Sequence, residues 1–318
     1  MTRVLVTGGT GFIGAALAKK IKSDECFDLS VSVRGGRELP GIRTHHVADL
    51  SAETSWSSIL DGIDVVVHTA ARVHVMHDSS TDPLTEFRKI NVEGTLNLAR
   101  QAALAGVKRF VFLSSIKVNG EGTESGKPYM PDDIPDPRNF YGMSKMEAER
   151  ALFELAEQEH MEVVVIRPVL VYGPGVKANF LNMIRWLNRG VPLPFGAIHN
   201  KRSLVFLDNL ISLIINCVNH PAAANQIFLV SDGEDLSTTQ LLVRTLKALN
   251  KPSRLMPVPS WMLESVARFL GKGDVSRRLC GSLQVDISKT RDLLSWSPEV
   301  SVDHALSRTV DNFLEQGK

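Results

Sequence analysis

Thr7-Gly8-Gly9-Thr10-Gly11-Phe12-Ile13-Gly14 follows the apolar run Val4-Leu5-Val6 and opens the helical pattern Ile13 to Ile21. An unbroken Val/Leu run of this length reads as a strand buried on both faces. The glycines let the chain turn tightly, approach a pyrophosphate closely and lay the helix on the strand. The helix N-terminus then offers unpaired N–H groups and a positive dipole end to phosphate. A glycine triplet alone says little, but between a strand and a helix it reads as a dinucleotide-binding turn. Gly8, Gly11, Phe12, Ile13 and Gly14 are therefore candidate cofactor contacts.

Working outward, strand patterns recur at Leu29 to Val33, Asp64 to His68, Phe110 to Leu113 and Val163 to Ile166. Helical patterns at Glu86 to Leu104 and Tyr141 to Glu159 lie between them. Strands alternating with helices imply parallel βαβ units and an α/β, doubly wound sheet of the Rossmann kind. After Pro168 the texture breaks at Gly173-Pro174-Gly175, Pro192 and Pro194, with helices expected near Leu236 to Leu249 and Ser260 to Leu270. The expectation is a dinucleotide-binding domain over residues 1–170, with a strand near 227–230 returning to it. Residues 171–318 then form mainly a smaller, substrate-binding lobe.

Lys plus Arg (36) nearly balance Asp plus Glu (35), so no basic surplus drives nucleic-acid binding. The cysteines Cys26, Cys217 and Cys280 have no metal-ligand spacing and read as reduced thiols. His74 and His77 have no third ligand nearby, so loop histidines and no metal are expected. No apolar stretch is long enough to span a bilayer, and no basic-then-apolar leader pattern precedes the first strand, which predicts a cytoplasmic protein.

Tyr141 and Lys145 are four apart at the start of a helix, which puts both on one face. A phenol is a poor base near neutrality, and an adjacent ammonium is expected to lower its pKa towards the range useful for proton transfer. Lys145 can also hold the nicotinamide ribose. At the end of the second strand, where an acid would reject a 2′-phosphate, the chain carries Val33-Arg34-Gly35-Gly36-Arg37. A guanidinium matches phosphate in charge and fork geometry, which favours NADP(H). An exposed Arg34 in a protein accepting NAD(H) as well stays open.

The order Gly8, Gly11, Gly14, then Tyr141-x-x-x-Lys145, resembles the extended short-chain dehydrogenases of the NAD-dependent epimerase/dehydratase family, over essentially the whole chain. The resemblance places Asp49 and Leu50 at the adenine, and lines the cofactor with Thr69, Ala70, Ala71 and Pro168. It makes Asn91, in Asn91-Val92-x-Gly94-Thr95, a prop for the site. Ser115, ending Phe112-Leu113-Ser114-Ser115, matches a hydrogen-bond partner of the reacting oxygen. In the later lobe Arg202 resembles a diphosphate clamp, Leu193-Pro194-Phe195 the strand that clasps the uracil, and Asn179 a diphosphate or uridine contact. Arg278 stands only approximately where the family has another arginine.

This implies a UDP-linked sugar as substrate and a homodimer as the assembly. Ile116-Lys117 stands where 4,6-dehydratases carry an acid pair, which removes that chemistry. Epimerases usually carry a small hydroxyl residue at Lys117, here a candidate substrate contact, and an aromatic at Asn119. The run Ser114 to Gly120 instead resembles bacterial 4-ketoreductases that form UDP-N-acetylquinovosamine for O-antigen and lipopolysaccharide synthesis. A UDP-N-acetylglucosamine or UDP-glucose 4-epimerase with retained NAD is the alternative. A dinucleotide-sensing regulator is weaker, since Tyr141 and Lys145 are both intact.

Overall fold

The computed structural model describes residues 1–36, 38–73, 82–124, 126–271 and 273–316. The first half alternates β1 (Thr2–Thr7), α1 (Phe12–Lys22), β2 (Phe27–Arg34), β3 (Arg43–Val47), α2 (Ser57–Leu60) and β4 (Val65–His68). It continues through α3 (Pro83–Arg88), α4 (Thr95–Leu104), β5 (Arg109–Leu113), α5 (Phe140–Glu159) and β6 (Glu162–Pro168). Beyond lie β7 (Leu170–Tyr172), α6 (Ala178–Asn188), β8 (Arg202–Phe206), α7 (Leu207–Asn219), β9 (Gln226–Val230), β10 (Asp235–Leu236) and α8 (Thr238–Ala248). The chain closes with α9 (Ser260–Phe269), α10 (Gly273–Cys280), α11 (Ser288–Leu294) and α12 (Val302–Gln316).

Among the described residues, seven strands form one parallel sheet in the order β3-β2-β1-β4-β5-β6-β9. The order reverses beside β1, so β1 and β4 diverge to their helices and leave a crevice at their carboxyl ends, where the glycine turn lies. Helices cover both faces of the sheet, and its central strands are correspondingly buried. A second sheet, β10-β8-β7, with α6, α8 and α12 encloses a separate apolar cluster around Tyr172, Phe206 and Leu306.

Three departures from the sequence reading have physical causes. Arg43-Thr-His-His-Val forms edge strand β3, whose polar, partly exposed residues hide the strand period. The expected helix Glu86 to Leu104 breaks into α3, a π-helical turn over Lys89–Gly94, and α4. There Gly94 rests on the Leu50 carbonyl, and a Cβ at Gly94 would sit 2.7 Å from that oxygen. Leu193 and Phe195 do not form a regular strand; Leu193 makes an isolated bridge to Leu255.

Candidate active site

The glycine turn is shaped by close approach. Gly8 has a φ of +74°, and a Cβ on it would meet the Ala70 nitrogen at 2.8 Å. A Cβ on Gly14 would meet the Gly8 carbonyl oxygen at 2.3 Å and Thr69 Oγ1 at 2.7 Å. The helix α1 that follows has no side-chain cap at Gly11 and no acid in its first turn. Its N-terminal N–H groups and dipole are thus left to an external anion, which fits a dinucleotide pyrophosphate. Thr69 Oγ1 donates to the Thr7 carbonyl at 2.6 Å, tying the end of β4 to the end of β1.

Asn91 is buried and works as a bracket. It accepts from the Arg72 N–H at 2.8 Å, and its amide donates to Arg72 O and to Ser144 Oγ, each at 3.0 Å. Ser144 in turn donates to the Tyr141 carbonyl at 2.8 Å. The bracket joins the segment after β4, which holds Ala70 and Ala71, to the first turn of α5. Asn139 starts that turn, its side chain accepting from the Gly142 N–H at 2.8 Å.

Tyr141, Lys145 and Ser115 converge where α5 crosses the end of β5. Ser115 faces the Tyr141 hydroxyl and opposes the rise of its pKa. Lys145 is 1% exposed, donates to the Leu113 carbonyl at 2.8 Å, and sits 4.2 Å from the centre of the Phe112 ring. Burial pushes the phenol up to about 12 and the ammonium down to about 7. The expected lowering of the phenol by Lys145 is therefore overturned in the protein alone: desolvation disfavours both charged forms, and among the groups acting on the phenol only Ser115 opposes the rise.

Beneath this pair lies a buried network. Arg167, on β6, forks onto Glu149, with Nη2 to Oε2 at 2.6 Å and Nε to Oε1 at 3.0 Å. Its Nη1 donates to Asn119 Oδ1 at 3.0 Å, and Ser114 Oγ donates to Glu149. Glu149, one turn beyond Lys145, opposes the fall in the lysine's pKa. Nearby, His68 bridges Thr7 Oγ1 and Thr95 Oγ1 at 2.7 and 3.0 Å, and burial drives its pKa down to about 3. It is a neutral structural imidazole.

In the smaller sheet, Arg202 Nη1 donates to the carbonyls of Arg278 and Gly281, each at 3.0 Å. It has no carboxylate partner among the described residues, and burial alone lowers its pKa. Arg278 thus meets Arg202 through its main chain, while its own side chain is exposed. Lys117 pairs with Glu121, which also accepts from Asn139. Leu193 and Phe195 pack against the cluster between α6 and α8, and Asn179 is exposed in the first turn of α6.

Arg34 is exposed at the end of β2, opposite Val47 of β3. Gly35, Gly36, His46, Val47 and Ala48 line a hollow of about 340 Å³ beside it. Asp49 accepts from Thr54 Oγ1 at 3.1 Å beyond that hollow, and Pro168 is buried at the end of β6. His74, His77 and Arg37 lie outside the described residues.

Glu149, Arg167, Glu121 and Ser144 were not singled out by sequence reasoning. Two had a signal: Glu149 repeats the Tyr141–Lys145 spacing of four, and Arg167 is a charge inside the apolar run Val163 to Pro168.

A family model described as "NAD dependent epimerase/dehydratase family" matches residues 4–231. A UDP-glucose 4-epimerase of Vibrio cholerae is 47% identical, over 98% of this chain and 95% of its own length. An N-acetyl-alpha-D-glucosaminyl-diphospho-ditrans,octacis-undecaprenol 4-epimerase of Escherichia coli O157:H7 is 27% identical, over 96% and 94%. Among solved structures, a UDP-glucuronic acid 4-epimerase of Bacillus cereus in complex with NAD superposes with a TM-score of 0.81 at 20% identity, all of each chain being covered.

Proposed function

Since the chain belongs to the NAD-dependent epimerase/dehydratase family and is an enzyme of the nucleotide-sugar type, we propose that it is a UDP-hexose 4-epimerase with retained NAD. The observation that carries the reading is 47% identity, across nearly the whole chain, to a UDP-glucose 4-epimerase. The sequence favoured a 4-ketoreductase because of Lys117 and Asn119. Lys117 is engaged by Glu121 and Asn119 by Arg167, so neither departure bears on whether a hydride is returned to the sugar. The relatives favour the alternative.

In this reading Tyr141 takes the proton of the sugar 4-hydroxyl as hydride leaves C4, and gives it back on return. Ser115, which faces the phenol, orients the same oxygen. Lys145, its ammonium held by Leu113 O, adds positive charge beside the developing phenolate. The bound dinucleotide supplies reversible hydride storage. Inversion requires the hydride to return to the opposite face, so the sugar must turn while its nucleotide stays held, a grip that suits Arg202. NAD(H) is the retained cofactor, and Arg34 leaves room for NADP(H).

Incubation of the protein with UDP-galactose, followed by proton NMR of the anomeric signals, should give a mixture with UDP-glucose and no net change in reduced-nicotinamide absorbance. Stoichiometric oxidation of NADH or NADPH by a UDP-4-keto sugar, without interconversion of 4-hydroxy sugars, would restore the ketoreductase.

A further inference from the structure

Helix α9 is inverted relative to an ordinary surface helix. None of its ten residues is buried, yet it carries Trp261 (66% exposed), Met262, Val266 and Phe269 (91%), with exposed Leu270 just beyond. At about 100° per residue these side chains share one continuous half of the helix surface. Leu263 and Ala267 fall on the other half and are partly covered. Arg268 flanks the apolar arc on the Trp261 side. The chain around it is basic: residues 251–278 hold six Lys and Arg against two Asp and Glu, in a protein whose net charge is +1.

An amphipathic helix with Trp and Phe on its outer face and basic residues beside them has the composition of a segment that lies in a membrane interface. We propose that α9 docks this enzyme onto an anionic phospholipid surface, its apolar arc seated among the headgroups and the surrounding cations facing lipid phosphates. A second copy of the chain fits less well. Two such faces would bring like charges together, and one helix about 15 Å long gives little of the roughly 1,200 Å² that stable interfaces bury. No helix among the described residues can cross a membrane, so the contact is peripheral. α9 packs on α10, whose Arg278 carbonyl accepts from Arg202. The docked face is therefore one helix away from Arg202, and docking would hold that arginine close to the lipid. This goes beyond the epimerase reading and does not depend on it.

Flotation with vesicles of phosphatidylglycerol and phosphatidylethanolamine tests the docking without any sugar nucleotide present. Wild type should float with these vesicles, less so at raised salt and not with phosphatidylcholine alone. Trp261→Ser with Phe269→Ser should lower partitioning by about tenfold or more, because two large apolar side chains no longer enter the interface. Both residues are exposed, so circular dichroism and turnover in free solution should match wild type. Equal flotation of wild type and the double variant would overturn the proposal. So would a lipid-free wild-type dimer that dissociates in the double variant, which would assign the face to a second copy.

Discussion

The floor beneath Tyr141 and the clamp in the smaller sheet hold guanidinium groups in opposite ways, the first fully buried and the second half-buried. Arg167 is neutralised by Glu149 and further bonded to Asn119, so its site is complete within the protein. Among the described residues the Arg202 guanidinium donates to the carbonyls of Arg278 and Gly281 and has no carboxylate partner, and burial lowers its pKa. A half-buried cation bonded to dipoles keeps its attraction for an anion, whereas a buried ion pair has already satisfied it with its partner. The first region therefore behaves as a rigid base for chemistry and the second as a receptor awaiting charge.

The sharpest division should come from Tyr141→Phe. Loss of the proton-transferring oxygen is expected to reduce turnover by roughly 10²–10⁴. Dissociation constants for NADH and for UDP, measured by titration calorimetry, should stay near wild type. Turnover within a few-fold of wild type would remove Tyr141 from proton transfer and dissolve the contrast between the regions.

Arg167→Met strands the Glu149 carboxylate in the interior, and removing one partner of such a pair is expected to destabilise by about 3–5 kcal/mol in denaturant unfolding. Adding Glu149→Leu should restore much of that stability, because the pair is worth little against apolar side chains of similar volume. A double variant as unstable as the single one would mean that Arg167 matters for its bonds to Asn119 rather than for charge.

Lys145 gives the same region a pH signature. Its ammonium titrates near 7 when folded and about 10.4 when unfolded. Between those values the unfolded chain binds the extra proton, so this group makes stability rise with pH, by a few kcal/mol in all. Lys145→Met should flatten that rise between pH 7 and about 10 in cofactor-free protein. An unchanged slope would place the ammonium in wetter surroundings than Leu113 O and Phe112 provide.

Arg202→Ala sharpens the other side. Without this charged hydrogen-bond donor, UDP binding should weaken by about 1.5–3 kcal/mol, roughly tenfold to hundredfold, while unfolding stability changes less than in Arg167→Met. UDP affinity equal to wild type would end the receptor reading of the smaller sheet.

The two regions also differ in how far the sequence reveals them. The glycine turn and the Tyr141–Lys145 spacing are local patterns, because a strand, a turn and one helix face are built from neighbours in the chain. The π-helical turn at Lys89–Gly94 depends on Gly94 meeting Leu50, more than forty residues away, and no periodicity carries that. Edge strand β3 has one open side, so its His45 and His46 lack the apolar signature. The Arg202 site is assembled from carbonyls near residues 278–281, and a main-chain acceptor leaves no mark on residue identity.

The smallest effect belongs to Arg34, and it tests whether charge on the rim is read like charge in the clamp. Arg34 is exposed, at the junction of β2 with β3 and beside the hollow lined by Gly35, Gly36 and His46. A 2′-phosphate there would form a charge-assisted hydrogen bond, but water and salt screen it more than a bond at the half-buried Arg202. Exposed pairs are worth about 0–1 kcal/mol, so Arg34→Asp, which also adds repulsion, should weaken NADPH binding by no more than about tenfold. NADH affinity should hold or improve, because an acid at this strand end can bond the ribose hydroxyls. Raising salt should shrink the wild-type preference and leave the Arg202 contribution to UDP binding largely intact. Equal responses of the two ligands to Arg34→Asp would mean that the strand end does not read the 2′ position. A fall in NADPH affinity as large as the fall in UDP affinity in Arg202→Ala would mean that the rim is as desolvated as the clamp.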